Sequence, residues 1–337
     1  MKAQHSLSLA AAISAATLSM YASQSYAATE LKVSSDLELY YENSSNIKNQ
    51  DDDDQFKTQQ LYLTIDGKFD DNMAARLKLD AADIVSSNGK TVTEKIVEEA
   101  NFTLNNIGGS PVTLIFGKDE MPFGLDYDKH LTDPLQHNFE IDKVWGVHII
   151  TKINDQHKFA AALYENRNDS ESYENELTSN YVARYNGSIV EGLDIELSFG
   201  QEQYKTSGTT GLDDEKRYNA GLVYKFGSNN VNFEFTEFEN RKGGNRNPSL
   251  ISLGLERKMD KHSVWGRFER VDADEAPSEK VEENFYSIGY AYEAAKHYTL
   301  SAEFANFSTA DYKDASDLHV ADGSIENSIK LGIRAKF

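Results

Sequence analysis

The chain has 337 residues, a formal net charge of -21 and no cysteine. Without cysteine it has no disulfide framework and no thiol chemistry, and its acidity argues against nucleic acid as a partner, since binding phosphate requires clusters of Lys and Arg. No segment after the N-terminus is apolar enough for a membrane-spanning helix, yet 18 Tyr and 17 Phe are present.

Residues 1–27 predict a cleaved secretory signal. Lys2 provides a positive start, Leu7 to Leu18 form a short apolar stretch, and Ser25-Tyr26-Ala27 fits a cleavage site. The stretch is shorter than the roughly 20 residues that a membrane-spanning helix needs. We therefore expect the mature chain to comprise residues 28–337.

The mature chain repeats segments of about ten residues in which every second side chain is apolar. The first segment has Leu31, Val33 and Leu37 on one face and Lys32 and Asp36 on the other. This alternation is typical of a transmembrane β-strand, with one face toward lipid and the other toward water. Because about 16 such segments can be found, the sequence predicts an all-β fold, an antiparallel transmembrane barrel in the bacterial outer membrane.

Short turns alternate with longer links between the predicted strands. Tight turns are expected at Asp70-Asp71-Asn72, at Gly108 to Pro111 and at Asn186-Gly187, a dipeptide that favours hairpins. Longer links are expected near residues 42–56, 86–95, 117–143, 166–176, 204–217, 239–248, 270–284 and 308–325. The run Asp51 to Asp54 is expected to form a solvated acidic loop tip. The alternation predicts that both termini lie on the periplasmic side, with the short turns there and the longer loops outside.

The link at 117–143 interrupts the strand pattern at Pro122-Phe123-Gly124. Such a link either folds inward, where its polar side chains set pore size and selectivity, or forms an external loop with a structural turn. The candidate constriction residues are Lys118, Asp119, Glu120, Asp126, Asp128, Lys129 and His130. The candidate lumen-facing residues on the strands are Lys68, Arg76, Lys78, Arg184, Lys225, Arg267 and Arg334, mixed with acidic residues.

The motifs of hydrolases, zinc proteases and phosphate-binding loops are absent from the sequence. We therefore predict no enzymatic activity, no cofactor and no metal centre. A soluble β-sandwich is the alternative fold, and a closed barrel acting as an adhesin is an alternative function. The chain ends in Phe337, and a terminal aromatic residue is the expected signal for the machinery that assembles outer-membrane barrels.

The segment Gly117 to Gly124, followed by Asp133-Pro134-Leu135, resembles the siderophore porins of the legiobactin-uptake type. Its shorter pattern Gly-Lys-x-x-x-Pro-Phe-Gly also resembles the phosphate-selective porins. The two resemblances imply passive uptake of a small ferric chelate or of an anion, without chemical change. The expected partners are thus a small solute, including a ferric siderophore, and outer-membrane lipids. A general or anion-preferring diffusion porin is the alternative, and a homotrimer is left open.

Overall fold

The structure, a computed structural model, describes residues 30–46, 51–81, 96–125, 131–141, 143–165, 180–205, 212–241, 247–276, 279–310 and 325–337. The predicted signal at 1–27 lies outside the described residues, as do the candidates Asp126, Asp128, Lys129 and His130. In the described part of the chain, no helix is long and apolar enough to cross a membrane.

Sixteen antiparallel strands form one closed barrel in which strands adjacent in sequence are paired and β1 pairs with β16. Strands β1 to β8 are Glu30–Asn46, Asp51–Lys68, Met73–Asp80, Val97–Leu104, Val112–Asp119, Val144–Lys152, His157–Tyr164 and Asn180–Val190. Strands β9 to β16 are Leu193–Lys205, Leu212–Phe226, Asn229–Glu239, Ser249–Met259, His262–Ala276, Glu279–Ala295, Tyr298–Ala310 and Ile325–Lys336. Closure gives every strand two partners, as a barrel in lipid requires, and the predicted fold and strand number are confirmed.

The barrel closes at a seam between its first and last strands. Phe337 N donates to Ser35 O and Ser35 N donates to Phe337 O, each at 2.9 Å. The pairing continues from Asp36 opposite Lys336. The start of β1 and the end of β16 therefore lie at the end of the barrel that carries the short turns, which we call the turn end.

Side chains alternate between the outer and inner faces of the wall. In β12, Ile251, Leu253 and Leu255 are exposed, whereas the intervening Ser252 and Gly254 are buried. The exposed positions form the apolar band that a barrel presents to lipid, and the intervening positions face the interior. The lumen wall is therefore made of every second residue of each strand.

Several strands are longer than the sequence predicted. Residues 51–54 pair with residues 43–46 of β1 and belong to β2, so the predicted loop tip at Asp51 to Asp54 is wrong. Strand β10 begins at Leu212 and β14 at Glu279, inside predicted links. The sequence at these strand ends lacks the apolar alternation of the lipid-facing band, although the backbone pairing continues.

The predicted turn at Asn186-Gly187 is also wrong. Strand β8 continues to Val190, and Gly192 makes the turn with a φ of 80°. Gly187 lies within the strand, where a Cβ atom would come within 2.6 Å of His157 Nδ1. Close packing rather than a turn accounts for this glycine.

Candidate functional site: the inner segment and the lumen

The link between β5 and β6 enters the barrel. Its described residues 121–125 and 131–141, which we call the inner segment, contact inward-facing side chains of β7 to β16. Contacts with so many strands on their inner faces place the segment inside the lumen. Of the two placements that the sequence left open, the structure has the inward one.

Two apolar clusters attach the inner segment to the wall. Met121, Phe123 and Ile141 pack against Ala162, Tyr164 and Val182. Leu135 and Phe139 pack against Phe238, Leu250, Val271, Phe285 and Ala305. Phe139 is 1% exposed, and its ring centroid lies 5.1 Å from that of Phe238. Burying one such side chain contributes about 1.5 to 3 kcal/mol, so the clusters hold the segment firmly.

Wall glutamates accept hydrogen bonds from the backbone of the inner segment. Leu125 N donates to Glu234 Oε1 at 2.9 Å, and Gln136 N donates to Glu269 Oε2 at 3.2 Å. Both glutamates are fully buried. Since buried N–H groups need acceptors, these carboxylates replace the partners that regular secondary structure would supply.

Glu303 on β15 makes several such contacts. Its carboxylate accepts from Leu131 N at 3.3 Å, from Thr132 N at 2.8 Å and from Trp265 Nε1 at 3.0 Å. From the neighbouring strand, Lys330 Nζ donates to Leu131 O at 2.9 Å. Both backbone polar groups of Leu131 are thus held by the wall through charged partners, which form the stronger hydrogen bonds.

Glycines on the inner face of the wall give the inner segment room. A Cβ atom on Gly221 would lie 2.8 Å from Leu125 Cγ, and one on Gly332 would lie 3.0 Å from Leu131 Cδ2. Arg184 on β8 adds a further attachment, with Nη1 donating to Gly124 O at 3.3 Å. The wall is therefore shaped to fit the segment.

A gap remains between the inner segment and strands β1 to β4 and β16. It is a cavity of about 630 Å³ with a mainly polar lining. Its charged lining residues are Lys32, Arg76, Lys78, Arg334 and Lys336 together with Asp36, Asp66, Glu99 and Asp133. Asp133 belongs to the inner segment, and the others belong to the wall.

Among the described residues, four of the five gap cations form ion pairs, and two of these cations reach well further into water than the carboxylates that bind them. Arg76 Nε lies 2.7 Å from Asp66 Oδ1, and the two side chains are 48% and 31% exposed. Lys336 Nζ lies 3.5 Å from Asp36 Oδ2, with exposures of 61% and 20%. Long cationic side chains extend their heads toward water in this way. The accessible surface of the gap is therefore more positive than its formal charges suggest.

Comparison with known proteins identifies the family. Residues 8–312 match the model of the Gram-negative porins. The chain belongs to the Gram-negative porin family. It is therefore an outer-membrane porin, a diffusion channel whose strands cross the outer membrane. No curated protein sequence matches it.

Solved porin structures share the fold at low sequence identity. An anion-selective porin from Comamonas acidovorans has a TM-score of 0.66 and 12% identity over 91% of this chain and 99% of its own. The outer membrane channel DcaP of Acinetobacter baumannii has a TM-score of 0.66 and 12% identity over 91% and 97% of the two chains. The trimer form of OmpT of Vibrio cholerae has a TM-score of 0.64 and 14% identity over 91% and 99%.

Three of the predicted constriction residues of the porin are described, and the structure does not bring them into the gap. Lys118 Nζ donates to Val97 O at 2.6 Å. Asp119 lines an adjoining cavity of about 400 Å³ that shares Lys32, Asp66 and Arg76 with the gap, and Glu120 is exposed. Among the described residues of the link, the gap is lined by Asp133 instead.

The predicted lumen-facing residues are distributed around the inner wall. Arg76, Lys78 and Arg334 line the gap, and Arg184 contacts the inner segment. Arg267 is buried and pairs with Glu269. Two others lie near the turn end, with Lys225 Nζ 3.0 Å from Asp194 Oδ2 and Lys68 Nζ 2.8 Å from Asp71 Oδ1.

Sequence reasoning missed a buried charged group on β9 and β10 of the porin. Arg217 Nε donates to Glu215 at 2.6 Å, its Nη1 donates to Glu140 O of the inner segment at 3.1 Å, and its Nη2 donates to Glu202. These residues fell in or beside the predicted link at 204–217. The inward alternation of Glu215, Arg217 and Asn219 is the signal that could have found them.

Lys143 is another residue that the sequence did not single out. It follows the inner segment, and its Nζ lies 2.9 Å from Glu98 Oε2 on β4. Burial alone would lower the pKa of Lys143, but the hydrogen bond and negative charge of Glu98 outweigh it and raise the pKa above its ordinary value. The ion pair therefore ties the end of the link to the wall.

Proposed function

We propose that the porin passes small hydrophilic solutes through the gap by passive diffusion and prefers anions. The observation that carries the proposal is the greater exposure of Arg76 and Lys336 than of the carboxylates that bind them. A solute in the gap meets these ammonium and guanidinium groups before it meets the wall carboxylates. In a narrow, water-filled passage, such charges decide which ions enter.

Small carboxylate-bearing molecules, ferric hydroxycarboxylate chelates among them, are the solutes that we infer. Such chelates are often anionic, so the cations of the gap would attract them as they attract simple anions. The resemblance of Gly117 to Gly124 to siderophore porins supports this class. The likeness in fold to an anion-selective porin supports the charge preference.

Two further properties belong to the proposal. We infer a homotrimer, by analogy with the trimer form of OmpT. We also infer that Phe337, a residue that is 58% exposed, is recognised by the assembly machinery of the outer membrane. Transport requires no catalysis, so we infer no enzymatic role.

The charge preference can be tested in planar bilayers. The reversal potential of the refolded porin in a KCl gradient should have the sign of an anion-preferring channel. Arg76→Gln with Lys78→Gln should move it toward cation preference, because the gap then keeps its carboxylates and loses two cations. Adding ferric citrate should reduce the chloride current of the wild type more than that of this variant.

The control removes one Arg and one Lys from the outer face of the barrel. Arg270→Gln with Lys216→Gln makes the same change in net charge away from the lumen and should leave the reversal potential unchanged. If the gap variant and the wild type have equal reversal potentials, the proposed anion preference is wrong. If the wild type forms no channel, passive transport itself is wrong.

A further inference from the structure

A second cavity lies on the inner wall near the turn end of the barrel. It has a volume of about 410 Å³ and is lined by the turn-end portions of β6 to β10, by the residues joining β6 to β7, and by Leu125 of the inner segment. The gap is lined by different strands, β1 to β4 and β16. The two cavities are therefore separate features of the lumen.

Two lysines face each other in this cavity. Lys152 on β6 and Lys158 on β7 are directly opposite in the strand pairing, and both line the cavity. Like charges directly opposite on one face of a sheet destabilise it. Arg184 on β8, opposite Ala160, is a third cation on this face, and its Nη1 lies 4.0 Å from Glu196 Oε2. The two facing lysines thus bring like charges together at a cost in stability.

Neither lysine forms an ion pair with any of the described residues. The cavity is also lined by three carboxylates, Asp155, Asp194 and Glu196, and the last two have other partners. Asp194 is held by Lys225 at 3.0 Å and by the hydroxyl of Ser188. Glu196 accepts from Asn186 Nδ2 at 2.7 Å. The two ammonium groups therefore share a cavity in which none of the described carboxylates forms an ion pair with them.

We propose that this cavity binds an oxyanion, a carboxylate or phosphate group, between the ammonium groups of Lys152 and Lys158. A bound oxyanion would offset the repulsion between the lysines and satisfy donors on both strands. The proposal goes beyond selective passage through the gap, since it describes a saturable site elsewhere in the lumen. It does not depend on whether the gap prefers anions.

Binding can be measured directly on the refolded porin in detergent. Inorganic phosphate at low ionic strength should bind saturably in equilibrium dialysis. Lys152→Gln with Lys158→Gln should weaken this binding by roughly tenfold or more, since hydrogen bonds to charged groups contribute about 1.5 to 3 kcal/mol. Succinate added as a competitor distinguishes a site that takes only phosphate from one that also takes carboxylates. Displacement of phosphate would show that carboxylates share the site, and its absence would restrict the site to phosphate.

The matched control changes two lysines in turns at the same end of the barrel. Lys261→Gln with Lys296→Gln removes the same charge and should leave phosphate affinity unchanged. Equal weakening of phosphate binding in both double variants would show that only net charge matters and would overturn the proposal. A lack of saturable phosphate binding to the wild type would overturn it as well. The reversal potential in KCl tests the gap independently, so failure of one proposal is distinguishable from failure of the other.

Discussion

The indole ring of Trp265 occupies the space that a side chain on Gly289 would fill. The two residues are opposite each other in β13 and β14, and a Cβ atom on Gly289 would overlap the ring. From this position the buried Trp265 reaches Glu303. The glycine therefore allows a large aromatic ring to lie on the inner wall and support a carboxylate that holds the inner segment.

Gly289→Ala should displace the ring of Trp265 and destabilise the barrel by about 1 to 3 kcal/mol, as overpacking of a well-packed site does. Urea unfolding of the porin in lipid vesicles measures the change. The same glycine substitution in a Trp265→Leu background should cost less, because the clash is removed. Gly266→Ala is the control, since a Cβ atom there meets only Ser287 O at 3.7 Å. Equal costs of Gly289→Ala in both backgrounds would contradict the explanation.

Glu303→Gln should loosen the inner segment without changing the size of the side chain. Leu131 N and Thr132 N donate to different oxygens of the carboxylate, so an amide would turn its NH2 group, itself a donor, toward one of them. Leaving a buried N–H without an acceptor costs about 1 to 3 kcal/mol. Hydrogen exchange measured by mass spectrometry should become faster in peptides that contain residues 131–136.

The control for this experiment is Glu237→Gln, which changes an exposed carboxylate on the outer face of β11. It should leave exchange in residues 131–136 as in the wild type. An unchanged exchange rate in Glu303→Gln would show that the apolar clusters alone hold the segment.

Phe139→Ala should release one end of the inner segment from the wall. Large-to-small changes at buried aromatic positions cost about 3 to 5 kcal/mol, and here the loss falls on the attachment of the segment rather than on the strand pairing. We expect larger and noisier single-channel conductance from a barrel that still forms. Phe102→Ala, at an exposed position on the outer face, is the control. Wild-type conductance in the Phe139 variant would argue against this attachment.

The barrel could be predicted from the sequence because its pattern is local. Ile251, Leu253 and Leu255 reveal a lipid-facing strand without reference to any other part of the chain. The path of the inner segment depends instead on distant partners. Leu131 and its acceptor Glu303 are 172 residues apart, and no short-range pattern relates them. The sequence could therefore place the strands but left the position of the link undecided.

One signal of the inward path was nevertheless present. Leu250, Val271 and Phe285 lie on the inner face, where a water-filled lumen would favour polar side chains. Each interrupts the alternation, so that β14, for example, has Phe285 next to the outward Tyr286. Strands that are apolar on both faces mark the part of the wall that the inner segment covers.

Deleting Phe337 should weaken the seam of the barrel as well as its assembly. The deletion removes the two 2.9 Å hydrogen bonds with Ser35 and the stacking of the ring on His297, whose centroids are 5.7 Å apart. We expect less folded porin in the outer membrane. Phe337→Leu keeps the backbone bonds, so it separates the two roles. Normal membrane levels with Phe337→Leu would show that the aromatic ring is not needed for recognition.

Asp133→Asn should strengthen the preference of the channel for anions. Asp133 is the charged residue that the described inner segment contributes to the gap, opposite a wall that includes Arg76, Arg334 and Lys336. Removing its negative charge leaves those cations less compensated, and Asp133→Lys should shift the reversal potential further in the same direction. Asp119→Asn and Glu120→Gln, at positions that do not line the gap, should shift it less. A larger shift from Asp119 or Glu120 than from Asp133 would mean that ions are selected in the adjoining cavity that Asp119 lines. The narrowest part of the passage would then lie in that cavity.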